Sequence, residues 1–129
     1  MNWRFLFFAA LAIALAAYIW SSSSKPTSGS SDNAETVSHA ISSGQPVLLE
    51  FYADWCGPCH TVAPSVAELT SEVEGRAQVI RINVDEHREL AANYSVRNIP
   101  LFVVLKSGRE SSREAGVISK ETMLKMLGL

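Results

Sequence analysis

The fold class this sequence predicts is an α/β three-layer sandwich, on three observations. Helical and strand-like patterns alternate along residues 32–129. The strand-like runs are short and apolar enough to be covered on both faces. The chain's two cysteines, Cys56 and Cys59, stand at the joint between a strand-like and a helix-like run. A Cys-x-x-Cys pair so placed reads as a redox dithiol.

The totals narrow the alternatives. A length of 129 residues leaves room for one domain. A formal charge of −2 and the lack of a polybasic patch argue against nucleic acid as a partner. The loop that Cys56 and Cys59 would close is too small to constrain the unfolded chain much, so stabilisation explains the pair poorly. Zinc usually takes four ligands. There is no second Cys pair, and His39, His60 and His87 are scattered, so no metal site is expected.

Residues 1–4 are a short basic start, and residues 5–20 carry no charge. As a helix the apolar run spans roughly 24 Å at ~1.5 Å per residue, slightly short of a ~30 Å bilayer core. Two readings of residues 1–20 stand. One is an uncleaved transmembrane signal anchor, with Trp3 at one interface and Tyr18 and Trp20 at the other. The other is a cleaved signal peptide, with Ala14-Leu15-Ala16 as a small-x-small site. Cleavage would leave an apolar mature start, so the anchor is favoured. Arg4 then places the domain outside the cytoplasm, in a periplasm or its equivalent, although Lys25 weakens that bias. Residues 21–31, SSSSKPTSGSS, read as a flexible linker, and residues 32–129 as the folded domain.

Asp32 or Asn33 can cap a helix over 34–43, with Val37, Ala40 and Ile41 on one face and Gly44 ending it. Residues 47–53 form a buried strand that is apolar apart from Glu50. Pro58 suits the first turn of a helix that continues through Val62, Val66, Leu69 and Val73 to Gly75, with a kink at Pro64. A second strand covers 78–84, and a short helix over 86–94 carries Leu90 and Ala91. The third strand is 101–105. Lys106-Ser107-Gly108-Arg109 turns the chain back into 110–115, whose charges suit an edge. Ser119 caps a last helix to about Leu127, with Met123, Leu124 and Leu127 facing inward.

Trp55-Cys56-Gly57-Pro58-Cys59 resembles the active-site signature of the thioredoxin family. The resemblance extends over 34–127 through Phe51-Tyr52-Ala53-Asp54, Pro64, Asn83-Val84-Asp85, Ile99-Pro100 and residues 102–108. It implies a thioredoxin-like α/β/α sandwich with a central mixed sheet. The spacing from Asp85 to Pro100 leaves no room for an inserted subdomain, unlike the larger relatives of cytochrome c maturation and peroxiredoxin type. Three departures stand out. The first strand of the family is lacking, which would leave 78–84 with an open edge. His60 follows the motif where Lys or Arg is common, and Glu50 stands where the family mostly has Asp.

The resemblance assigns roles. Cys56, at a helix start where backbone N–H groups and the helix dipole favour an anion, is the expected exposed nucleophile. Cys59, one turn on, is the shielded resolving thiol, and the two cycle between dithiol and disulfide. Glu50 is the buried acid that assists proton removal from Cys59; burial disfavours a carboxylate's charged form. Arg81 matches the lysine near that acid, and a plainly solvated Arg81 is the alternative. Ile99-Pro100 matches a cis-proline loop that pairs with substrate backbone. Trp55, Gly57, Pro58, Ile99 and Gly116 are the implied substrate-binding residues, although Gly116 also reads as a turn glycine. Protonated His60 is a candidate for lowering the Cys56 pKa, against a solvated surface His. His39 and His87 read as solvated.

The activity expected is a protein disulfide reductase acting on disulfide-bearing client proteins, without an organic cofactor and as a monomer. Its Gly-Pro spacer goes, in the family, with potentials near ~−270 mV against ~−120 mV for a strong oxidase. Outside the cytoplasm it would need an integral-membrane thiol donor of electrons. The rivals are an oxidase or isomerase for exported proteins and a redox-inert binding or holdase module.

Overall fold

Val47–Tyr52 forms β1, a central strand buried over its first five residues. The computed structural model describes residues 32–129. The expected anchor, residues 1–20, and the linker, 21–31, lie outside the described residues. In chain order the elements are α1 (Asp32–Ser42), β1, α2 (Gly57–Glu72), β2 (Gln78–Asn83), α3 (Arg88–Asn93), β3 (Leu101–Lys106), β4 (Arg109–Ala115) and α4 (Lys120–Leu127). The sheet order is β2-β1-β3-β4. β1 pairs parallel with β2 and antiparallel with β3, and β3 pairs antiparallel with β4.

The two-residue period of a strand sorts β1 between two cores. Val47, Leu49 and Phe51 join Ile80, Ile82, Leu101, Val103 and Leu105 under Val37 and Ala40 of α1 and Ala91 of α3. Leu48 joins Phe102 and Val104 under Val62, Val66 and Leu69 of α2 and Met123 and Leu127 of α4. Glu50 shares the parity of Leu48, so it lies on the α2 side. This is the three-layer α/β/α arrangement with a mixed sheet. Among the described residues no strand pairs with the outer side of β2.

α2 contains Pro64 in its interior, whose ring nitrogen leaves the His60 carbonyl without its helical donor. Local chemistry accounts for the differences from the sequence reading. The helix expected over 86–94 is trimmed to Arg88–Asn93. Asn83 takes the N–H of Asp85 on its side-chain oxygen at 3.0 Å and that of His87 on its carbonyl at 3.0 Å, which holds the intervening residues in a turn. His87 is accordingly half-buried instead of solvated. Ser107 and Gly108 both have positive φ, 50° and 74°, as a two-residue type I′ hairpin turn requires. β4 is exposed along nearly its whole length, with its charges on the sheet edge.

Candidate active site

Cys56 closes the loop after β1 and opens α2. Its backbone is extended, with φ −84° and ψ 104°, and its Sγ accepts the N–H of Cys59 at 3.2 Å. The sulfur is thus the cap of the helix, where unpaired backbone N–H groups and the helix dipole favour negative charge. Pro58, in the first turn, costs no hydrogen bond there and presets the helical φ. Cys56 and Cys59 are joined as a disulfide, with Cα atoms 5.3 Å apart. In this form Cys56 is only 3% exposed, not the exposed residue expected. Its sulfur is bonded to Cys59 and packs among Ala53, Tyr52, Val84 and Ile99.

The cis Ile99–Pro100 peptide bond lies at this cluster through Ile99. The Pro100 carbonyl accepts the Gly116 N–H at 2.8 Å, which ties the start of β3 to the end of β4. Gly116 has φ +92°, a conformation that a side chain would strain, and a Cβ there would meet nothing within 4 Å. Conformation, not crowding, therefore favours glycine at this position. Gly57 and Pro58 are exposed beside the disulfide. Trp55 is 71% exposed, and its indole Nε1 donates to Asp85 Oδ2 at 2.8 Å.

Glu50 is fully buried. Directly across the parallel ladder stands Arg81, whose Nε donates to Glu50 Oε2 at 2.5 Å and whose Nη2 donates to Oε1 at 3.4 Å. The Arg81 side chain is 42% exposed, so this pair joins a buried acid to solvent. That hydrogen bond, helped by the charge of Glu50 and by Tyr52 and Asp54 and opposed by desolvation, holds the guanidinium above its ordinary pKa. Of the two readings of Arg81, the structure shows the paired one.

His60 is exposed, and its Nε2 lies 2.7 Å from the Asp54 carbonyl oxygen, which only a protonated Nε2 can satisfy. The ring thereby pins the first turn of α2 to the loop before Cys56. Asp54 and Asn83 also meet through their side chains at 3.4 Å. Among the described residues no three His, Cys, Asp or Glu side chains gather as a metal-binding group.

The structure thus brings Cys56, Cys59 and Ile99 together, and joins Glu50 to Arg81. Trp55, Gly57, Pro58, Pro100 and Gly116 stand on the loops around them. Sequence reasoning gave no role to Tyr52, Val84 or Asp85. A signal was present: β1 and β2 lie parallel, so their C-terminal ends must be neighbours, and ligands of α/β sheets gather at such ends. Val84 N–H donates to the Tyr52 carbonyl at 2.9 Å at that junction.

A helix-capping cysteine disulfide-bonded one turn into its own helix, beside a cis-proline loop, defines a thiol–disulfide exchange domain. The comparisons with known proteins agree. The thioredoxin family model matches residues 30–128, so the chain belongs to the thioredoxin family. It is 42% identical over 91 residues to Thioredoxin 1 of Chlorobaculum tepidum, covering 70% of this chain and 90% of that one. It is 38% identical over 87 residues to Thioredoxin 1 of a Nostoc species, covering 67% and 81%. Among solved structures it is similar to the germline-specific thioredoxin Deadhead of Drosophila melanogaster, with a TM-score of 0.69, 30% identity and coverage of 81% of this chain and 97% of that one. The protein is a thioredoxin-type thiol–disulfide oxidoreductase that acts on disulfide-bearing client proteins.

One expectation is overturned. A membrane-anchored domain outside the cytoplasm is not what the relatives indicate, because they carry the plain name thioredoxin. Among the described residues no helix is long and apolar enough to cross a membrane. The integral-membrane electron donor was inferred from that location and falls with it.

Proposed function

We propose that the chain works as a protein disulfide reductase. The Cys56 thiolate attacks one sulfur of a client disulfide, forming a Cys56–client mixed disulfide and releasing one client thiolate, which takes up a proton. Cys59 then loses its proton to Glu50 and attacks Cys56 Sγ. The mixed disulfide breaks, the second client sulfur leaves as a thiolate that takes up a proton as Glu50 gives up the one it accepted, and the Cys56–Cys59 disulfide forms. Two electrons have passed from the dithiol to the client, and an external dithiol must restore them.

The observation that carries the exchange chemistry of this reading is the capping of α2 by Cys56 Sγ, while its reducing direction rests on the Gly57-Pro58 spacer. A group that caps a helix as a neutral sulfur does so better as a thiolate, because the donors and the dipole are already aimed at it. That lowers the cost of the attacking form at neutral pH. Ile99 beside the disulfide offers clients an apolar contact next to backbone that can pair with an extended peptide. The rigid Gly57-Pro58 spacer fits a low-potential pair.

The deciding measurement is the reduction potential of Cys56–Cys59 in redox buffers. A value near ~−270 mV is expected, and one near ~−120 mV would reverse the direction. Cys59→Ser should accumulate mixed disulfides with an added disulfide-bonded client such as insulin. No trapped species would sink the two-step scheme.

A further inference from the structure

Arg81 makes two contacts at once. Its fork reaches Glu50, and its Cζ sits 4.3 Å from the centroid of the Tyr52 ring. Tyr52 is two residues after Glu50 on β1, so both project toward the same side of the sheet, and Arg81 comes from the neighbouring strand β2. Tyr52 also packs against the Cys56–Cys59 cluster. One half-buried residue therefore packs against the cluster that holds the disulfide and supports the only cation that hydrogen-bonds the buried acid among the described residues.

We propose that Tyr52 is a positioning residue for the exchange reaction: its ring holds the Arg81 guanidinium across the Glu50 carboxylate. The physical need is plain. An arginine on an edge strand, 42% exposed, is free to leave for water. Its departure would leave Glu50 buried without a counter-charge. A cation over an aromatic face gains electrostatic attraction that a hydrated arginine gives up. The planar guanidinium can stack on the ring while its edge faces the carboxylate, which an ammonium cannot do. Tyr52 thereby restricts the motion of the charge that faces the buried Glu50 carboxylate.

The surroundings fit a local effect. On β1 the groups facing Arg81 are Glu50 and Tyr52. In the loop beyond, Asp54 adds attraction. The β3 residue opposite Glu50 is Phe102, which is uncharged. From the first turn of α2 come the two cysteines and His60, whose ring is engaged by the Asp54 carbonyl.

The inference rests on the reading that Glu50 handles the Cys59 proton, and the test separates the two. In the full chain carrying Cys56→Ser, the ultraviolet absorbance of the Cys59 thiolate is followed against pH. Tyr52→Leu should raise the midpoint by about half to one pH unit, because a loosened cation lets the acids beside it keep their protons longer. Tyr52→Phe keeps the ring and should restore the parent curve. Adding Glu50→Gln should abolish the Tyr52→Leu shift. An unchanged midpoint in Tyr52→Leu, or a shift that survives Glu50→Gln, overturns the proposal. If Tyr52→Leu fails to fold, Arg81→Lys probes the same contact from the other side and should give the same rise; an unchanged midpoint overturns the proposal equally. Glu50→Gln alone leaving the curve in place would sink the role of the acid itself. A shift with Glu50→Gln but none with Tyr52→Leu would sink only the role of the ring.

Discussion

Along β1, Val47, Leu49 and Phe51 meet apolar neighbours throughout, whereas the intervening residues place a carboxylate on the other face of the same strand. The first face can be read as a packing problem and nothing more. The second breaks the packing rule at one position, Glu50, and only near the end where α2 begins and the disulfide lies. A fully buried acid is hard to justify by stability, since an apolar side chain of similar volume usually does at least as well. The contrast locates the working side of the sheet before any chemistry is invoked.

Four substitutions would break or sharpen that contrast. Cys56→Ser should reduce insulin turnover with dithiothreitol to the uncatalysed background; clear residual catalysis would remove the capping sulfur from its role. Phe51→Ala, on the apolar face, should cost ~3–5 kcal/mol in denaturant unfolding and leave the folded fraction active. A loss of turnover beyond the loss of folded protein would mean that the two faces are not separable. Glu50→Leu should do the opposite. Its unfolding free energy should match or exceed the parent's, because the abandoned Arg81 is half-exposed and can turn to water. Turnover should still fall by about 10²-fold, the scale of a lost proton-transfer group. A strongly destabilised but active Glu50→Leu would make the acid structural.

The smallest effect belongs to the edge strand. Glu110 is held below its ordinary pKa of 4.5 by the hydrogen bond from Arg113, the two being an exposed pair on β4. A depressed carboxylate contributes stability that is present above its unfolded pKa and is lost as pH falls through the folded one. Glu110→Gln should remove that part of the acid dependence. The change should stay under ~0.5 kcal/mol, because both partners are solvated and screened. A larger change would mean that the edge carries more of the fold than its exposure suggests.

The strands and most helices were legible because their signals are local. Val47 to Phe51 is apolar, Val62, Val66 and Leu69 recur at helical spacing, and Ser107-Gly108 forms the turn its composition suggests. Cys56 and Cys59 were legible for the same reason. The turn at Asn83 was not, because a side-chain acceptor that stops a helix from starting earlier depends on geometry. The contact of Tyr52 with Arg81 was also hidden. It joins residues on different strands, and only the parallel register that sets Glu50 opposite Arg81 brings the ring within reach. The burial of Cys56 was missed because exposure was argued for a free thiol, whereas the residue is disulfide-bonded and packs with Ala53, Val84 and Ile99.

That Cys56 Sγ caps α2 has a consequence for the whole molecule. Consider a thermodynamic cycle whose corners are the oxidised and reduced chains, each folded and unfolded. The gap between the two folding free energies must equal the gap between the redox potentials of the folded and unfolded dithiol. Any change that makes the α2 start a better seat for a thiolate lowers the free energy of the reduced corner alone. The potential must then rise toward the oxidising side, by ~30 mV for each ~1.4 kcal/mol. A single helix cap therefore couples melting behaviour to electron affinity, and a calorimeter reading of the two forms would serve as a voltmeter for this protein.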